Sequence, residues 1–119
     1  TKMKVFMHND GAIASFLPTL IEMGVDILNP VQTTAAGMDP VKLKREFGDR
    51  IVFWGGACDC QHTLPFGTPE QVAEEVRQSV RILGAGGGYV LASVHNIQAN
   101  VPPENVIALF DAARGQSLR

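Results

Sequence analysis

Three histidines, two cysteines and a set of aspartates, asparagines and glutamines are the residues of this sequence best equipped for chemistry. They gather just past short apolar runs. His8 and Asp10 follow the run at 4–7, and Asn29 and Gln32 follow the run at 25–28. Cys58, Asp59 and His62 come after 51–54, and His95, Asn96 and Gln98 after 89–92. Neutral imidazole and carboxylate both ligate a borderline cation such as zinc. His8-x-Asp10, with His95 as a third donor, could hold such an ion and leave one position open for a substrate. The same three residues can carry protons, and they form the candidate catalytic group. Asn29, Gln32, Cys58, Asp59 and Asn96 are the candidate substrate-binding residues. On residue types and spacing alone, His8 and Asp10 could equally bond each other or cap the next helix, with His95 a loop histidine.

Cys58-x-Cys60-x-His62 is a second cluster. Thiolates bind zinc strongly, but three donors so close in sequence wrap poorly around one tetrahedral ion. The plainer reading is two small, apolar, protonated thiols in a loop. Of the two, Cys58 lies nearer the strand end and is the better site candidate. The glycines at 84–88 invite a phosphate-loop reading, which fails because they precede a strand and do not open a helix.

Placing these residues requires four strands that alternate with helices. Ile13, Phe16, Leu17, Leu20 and Ile21 recur at helical spacing. Pro18 fits only a first turn, so the regular helix is expected from about Ser15 until Gly24 stops it. Asp39 can cap the next helix, with Pro40 at its first position and Gly48 at its end. After a long loop over 57–67, Thr68-Pro69-Glu70-Gln71 supplies a cap, a first-turn proline and a capping-box glutamine. Val72, Val76, Val80 and Leu83 form that helix's buried stripe. Pro102-Pro103-Glu104 opens the last helix, which is expected to bury Val106, Ile107 and Phe110.

Strand–helix alternation implies parallel pairing, and short continuous apolar strands suit a sheet covered on both faces. Sites in such folds lie at the carboxyl ends of strands, which is where the polar residues sit. Strand starts near 4, 25, 51 and 89 give short, regular units. That regularity favours half of a (β/α)₈ barrel over an open doubly wound sheet. Thr1-Lys2 leads straight into the first strand, so the sequence is expected to be a cut from a longer chain.

Composition narrows the partners. Among 119 residues, 45% are apolar and 18% charged, as in an ordered globular domain. The net charge of -2 comes with no basic block, which argues against nucleic acid and anionic membranes. The longest uncharged stretch, 82–103, is interrupted by four glycines, His95, two asparagines and prolines, so it is not a membrane span. Two free thiols and no secretory signal pattern suit the cytoplasm.

Several motifs together resemble one family. They are Gly24-Val25-Asp26-Ile27-Leu28-Asn29-Pro30-Val31-Gln32, Phe47-Gly48-Asp49-Arg50 with Phe53-Trp54-Gly55-Gly56, and Leu64-Pro65-Phe66-Gly67-Thr68-Pro69-Glu70. Gly86-Gly87-Gly88-Tyr89-Val90-Leu91-Ala92, His95-Asn96-Ile97-Gln98 and Val101-Pro102-Pro103-Glu104-Asn105 complete the set. The whole chain is similar to the C-terminal half of the uroporphyrinogen decarboxylase and cobamide-dependent methyltransferase superfamily. Its members are single barrels roughly two to three times this length, so the resemblance makes residues 1–119 the last four βα units.

The resemblance implies one of two activities. Decarboxylases of the family remove carboxylates from a tetrapyrrole without metal or cofactor, using residues mostly in the first half of the barrel. Methyltransferases pass a methyl group between a corrinoid and a thiol, using zinc held by a His-x-Cys motif and a later cysteine. His8, Asp10 and His95 occupy the matching positions, so both cysteines are replaced and the donor set is harder. His8-x-Asp10-Gly11 points to a methyltransferase-like branch, with zinc, a corrinoid methyl donor and a corrinoid protein as the implied cofactors and partner. A metal-free decarboxylase fragment and a stand-alone non-catalytic half barrel are the alternatives. The missing N-terminal half, or a second copy, is the expected structural partner.

Overall fold

A computed structural model describes residues 2–115. The order is β1 (Phe6–His8), a 3₁₀ turn (Ala14–Phe16), α1 (Leu17–Glu22), β2 (Ile27–Asn29), α2 (Pro40–Phe47) and β3 (Val52–Trp54). It continues with α3 (Thr63–Phe66), α4 (Pro69–Leu83), β4 (Tyr89–Val90) and α5 (Pro103–Arg114). The four strands form one parallel sheet in the order β1-β2-β3-β4. Sequential parallel strands, each followed by helical structure, are half of an eight-stranded barrel.

Local chemistry explains the helix starts. The Asp39 side chain accepts from Lys42 N at 2.8 Å. Thr68 and Gln71 form a reciprocal capping box, Thr68 N to Gln71 Oε1 at 2.8 Å and Gln71 N to Thr68 Oγ1 at 3.3 Å. Pro18 is accommodated because a 3₁₀ turn precedes α1, leaving the proline in the first helical turn. The long loop expected over 57–67 contains a short helix, α3. With only four residues, it carries too little periodicity to show in sequence.

Side chains alternate across the sheet. Leu28 and Phe53, paired in register and both 0% exposed, face the helices. There Ile13, Leu17, Met38, Leu43, Phe47 and Leu83 complete one core cluster. Ala57, Cys58, Leu64, Val72, Val76, Val80, Leu109 and Ala112 form a second. Phe6, His8, Ile27, Asn29, Trp54 and Val90 take the other face, which lines the lumen in a closed barrel. The rings of Phe6 and Trp54 meet edge-on there, 5.3 Å apart and at 83°.

Helix α4 buries Val72, Val76, Val80 and Leu83, as its spacing implies. Helix α5 departs from expectation. It buries Asn105, Leu109 and Ala112, while Ile107 is 60% and Phe110 44% exposed and Val106 only partly covered. The row 105-109-112 turns toward α4 and α3 because Asn105 Nδ2 donates to the carbonyls of Leu64 at 2.8 Å and Gly67 at 2.9 Å. These carbonyls lie at the end of α3, where helix acceptors lack intrahelical partners.

Asn105→Ala strands both carbonyls in a buried site. Each unsatisfied group costs about 1–3 kcal/mol, partly offset by removing the unpartnered Asn105 Oδ1. A net loss of roughly 2–4 kcal/mol is expected in urea unfolding. An unchanged midpoint and slope would show that the two bonds contribute nothing.

Candidate functional site

Four chain segments leave the sheet at its carboxyl edge, and bonds between them fix the mouth. Asn9 N donates to Asn29 O at 2.7 Å, continuing the β1–β2 ladder past the strands. Gly11 N donates to Gln32 Oε1 at 2.9 Å, which ties the two exit loops together and leaves the Gln32 amide nitrogen for other partners. At β3, Gly55 and Gly56 adopt φ of +100° and +76°. A Cβ on Gly56 would lie 2.6 Å from Val31 O, so the close approach of the β2 and β3 loops requires glycine there.

His8 and Asp10 stand together at this edge. His8 Nε2 lies 3.4 Å from Asp10 Oδ2, with the two side chains 54% and 48% exposed. His8 Nδ1 is 2.6 Å from Asn29 Oδ1, and Asn29 Nδ2 donates to Trp54 O at 3.2 Å. Both ends of the Asn29 amide are therefore engaged within the protein. His8 sits inside β1 and Asn29 inside β2, one residue later than the apolar runs implied. The strands extend toward the mouth because polar residues there still satisfy the parallel ladder.

The other expected site residues scatter. Cys58 is a core residue and not a mouth residue. Past the two glycines the chain continues along β4, with Ala57 N donating to Ala92 O at 3.1 Å. Cys58 then packs in the second core cluster. Burial pushes its thiol pKa far up, and Glu75 adds to this. Cys60 is also raised, first by burial and then by the Asp59 charge, with a smaller contribution from Asp10. Asp59 is buried and organises its own loop, accepting from Gln61 N at 2.8 Å and meeting His62 Nδ1 at 2.9 Å through Oδ2. Asp59 N donates to Glu75 Oε1 at 2.7 Å.

Glu75 was not singled out from sequence, although a signal existed. It lies three residues after Val72 and four before Ser79, on the buried stripe of α4. A carboxylate in such a row needs a partner, and the β3 exit loop supplies it. His95 and Asn96 are exposed on the β4 loop, where Gln98 Nε2 donates to Asn96 O at 3.2 Å. Among the described residues, no three His, Cys, Asp or Glu side chains converge to hold a metal ion. His8, Asp10 and His95 are thus a pair and a separate residue, and a three-donor zinc site does not fit them. A groove of about 780 Å³ lies on the helical side, lined by His62, Phe66, Glu75 and Gln78 among others, and contains neither His8 nor Asp10. No helix among the described residues is long and apolar enough to cross a membrane.

With this geometry in place, comparison with known proteins is informative. The sequence model of the uroporphyrinogen decarboxylase (URO-D) family matches residues 1–116. Uroporphyrinogen decarboxylase of Psychromonas ingrahamii is 29% identical over 114 residues, covering 96% of this chain and 29% of that protein. The protein of the same name from Serratia proteamaculans is 29% identical over 102 residues, covering 86% of this chain and 27% of its own length. That of Coxiella burnetii is 25% identical over 115 residues, or 97% and 29% of the two chains. The chain thus spans less than a third of the length of these relatives.

Proposed function

We propose, for a chain that belongs to the uroporphyrinogen decarboxylase family, that it supplies the C-terminal half of the mouth of a tetrapyrrole-carboxylate decarboxylase, with His8 and Asp10 as its proton-handling pair. The carrying observation is the placement of His8 Nε2 3.4 Å from Asp10 Oδ2 at the strand ends. Losing CO₂ leaves electrons on the carbon that held it, and that carbon must gain a proton. An imidazole beside a carboxylate, both open to a ligand, can deliver one. The Gln32 amide nitrogen, without a partner among the described residues, and the exposed Asn96 and His95 are available to donate hydrogen bonds to neighbouring carboxylates. The relatives named above carry the decarboxylase name, which supports this reading. Two free cysteines fit a cytoplasmic setting.

The second reading is the corrinoid-linked methyltransferase branch. Its support is that His8-x-Asp10 takes the place of that branch's His-x-Cys pair. Within this chain the third donor does not join them, and the mechanism above needs no metal.

The test is to join this chain to the preceding four βα units of a family member. The product is offered a carboxylated porphyrinogen and, separately, a methylated corrinoid with a thiol. Carboxyl loss, followed by chromatography, is expected. Corrinoid demethylation, followed by absorbance, with no carboxyl loss would replace the decarboxylase reading by the second one.

A further inference from the structure

We infer that Asn29 is a positioning residue that holds neutral His8 in its Nδ1–H tautomer, leaving Nε2 as the bare nitrogen that faces Asp10. The inference begins at the far end of the chain of bonds. The Asn29 side chain lies 3.2 Å from the carbonyl oxygen of Trp54. A carbonyl only accepts, so the amide nitrogen must point at it. Turning the amide over would set two oxygens against each other with no hydrogen between them. The backbone of β3 thus fixes the Asn29 amide, and Oδ1 is directed at His8.

Asn29 Oδ1 lies 2.6 Å from His8 Nδ1. An amide oxygen also only accepts, so Nδ1 carries the hydrogen. A neutral imidazole has one N–H, and Nε2 is left with a lone pair. Partners of this kind commonly set which histidine nitrogen works by occupying the other. The Nε2 lone pair then stands 3.4 Å from Asp10 Oδ2, too long a contact to draw the hydrogen away from the 2.6 Å bond to Asn29, and a proton taken up at Nε2 is shared with the carboxylate and can be passed on. The register supports the arrangement. His8 pairs with Asn29, and Leu28 with Phe53, so His8, Asn29 and Trp54 form one row across three strands at the sheet edge. Phe6, in the next row inward on the same face, meets the Trp54 ring edge-on.

Calling Nε2 the working atom rests on the proton-transfer reading above. The tautomer itself does not, and it is measured without substrate. The experiment is nitrogen NMR of the ¹⁵N-histidine-labelled chain, with the pH raised until the His8 ring signals stop shifting. His8 is assigned by the loss of its signals in His8→Gln. Expected is an Nδ1 of protonated type and an Nε2 of bare type. Asn29→Asp keeps this pattern, because a carboxylate can only accept from Nδ1. Asn29→Ala, with its helical circular dichroism intact, loses the bare-Nε2 pattern and moves toward Nε2–H. His62, whose Nδ1 meets Asp59 Oδ2 at 2.9 Å, is the internal reference and stays unchanged in both variants. Nε2–H in the unmodified chain overturns the inference, as does a folded Asn29→Ala that keeps the original tautomer. If Asn29→Ala does not fold, the unmodified chain and Asn29→Asp decide.

Discussion

By itself this chain is expected to run as a dimer or larger assembly at micromolar concentration, with no persistent compact monomer. The reason is exposed pairing capacity on both sides of the sheet. Among the described residues β1 pairs only with β2, and β4 only with β3, so each outer strand presents a row of backbone donors and acceptors with no strand beside it there. Natural proteins cover such edges or close the sheet on itself. The inner face adds apolar surface, with Phe6 47% exposed and Ile27, Trp54 and Val90 only partly covered. The flanking helices tell the same story. Phe16 next to α1, and Ile107 and Phe110 on α5, are exposed although apolar, as helices are when a neighbouring βα unit is absent. Closing eight strands removes both edges at once, and a second copy or the other half of the barrel can provide the four that are needed. Light scattering coupled to size exclusion measures this directly. A mass near 12.8 kDa with sharp, concentration-independent melting would overturn the expectation and favour the stand-alone half-barrel module.

The exposed α5 residues also mark what could and could not be seen in the sequence. Strand–helix alternation, capping motifs and the α4 stripe are local, and each was legible because few residues decide it. Asp39 and Thr68 cap helices through neighbours three residues away. By contrast, the buried face of α5 depends on Asn105 meeting two carbonyls 38 and 41 residues earlier. Periodicity counts asparagine as polar and turns the helix toward Ile107 and Phe110. The site divides in the same way. His8 and Asp10 are two residues apart on one strand exit, and the sequence alone brought them together. Adding His95 required knowing how far β4 stands from β1, and these are the two edges of the open sheet. Cys58 misled because distance along the chain from a strand end does not say which side of the sheet a residue takes after two positive-φ glycines. Asn29 was legible as a strand-end amide, but the two bonds it makes were not. Its two partners lie on different strands, 21 and 25 residues away.

In an assembled barrel, His8→Ala is expected to lower turnover by roughly 10²–10⁴-fold, the range set by removing a positioned acid–base group, while the unassembled chain shows no turnover. The two outcomes have one cause. A barrel active site collects residues from many strand ends, and four are present here. His8 is held at 2.6 Å by Asn29, and Gln32 ties the first two exit loops. Nothing in the described residues plays that part for His95, which stands on an exposed loop. A displacement of about 1 Å can cost roughly a hundredfold in rate, so a histidine that no side-chain bond fixes contributes little until the remaining units pack beside β4. Closing the barrel also takes the inner face out of water, which strengthens the charge interactions around His8 and Asp10. Assay of the chain alone, of the joined barrel and of its His8→Ala and Asp10→Ala variants separates these effects. Turnover by the chain alone would mean that four strand ends suffice. Full activity of His8→Ala in the joined barrel would leave the fold standing and move the proton-handling role to another residue.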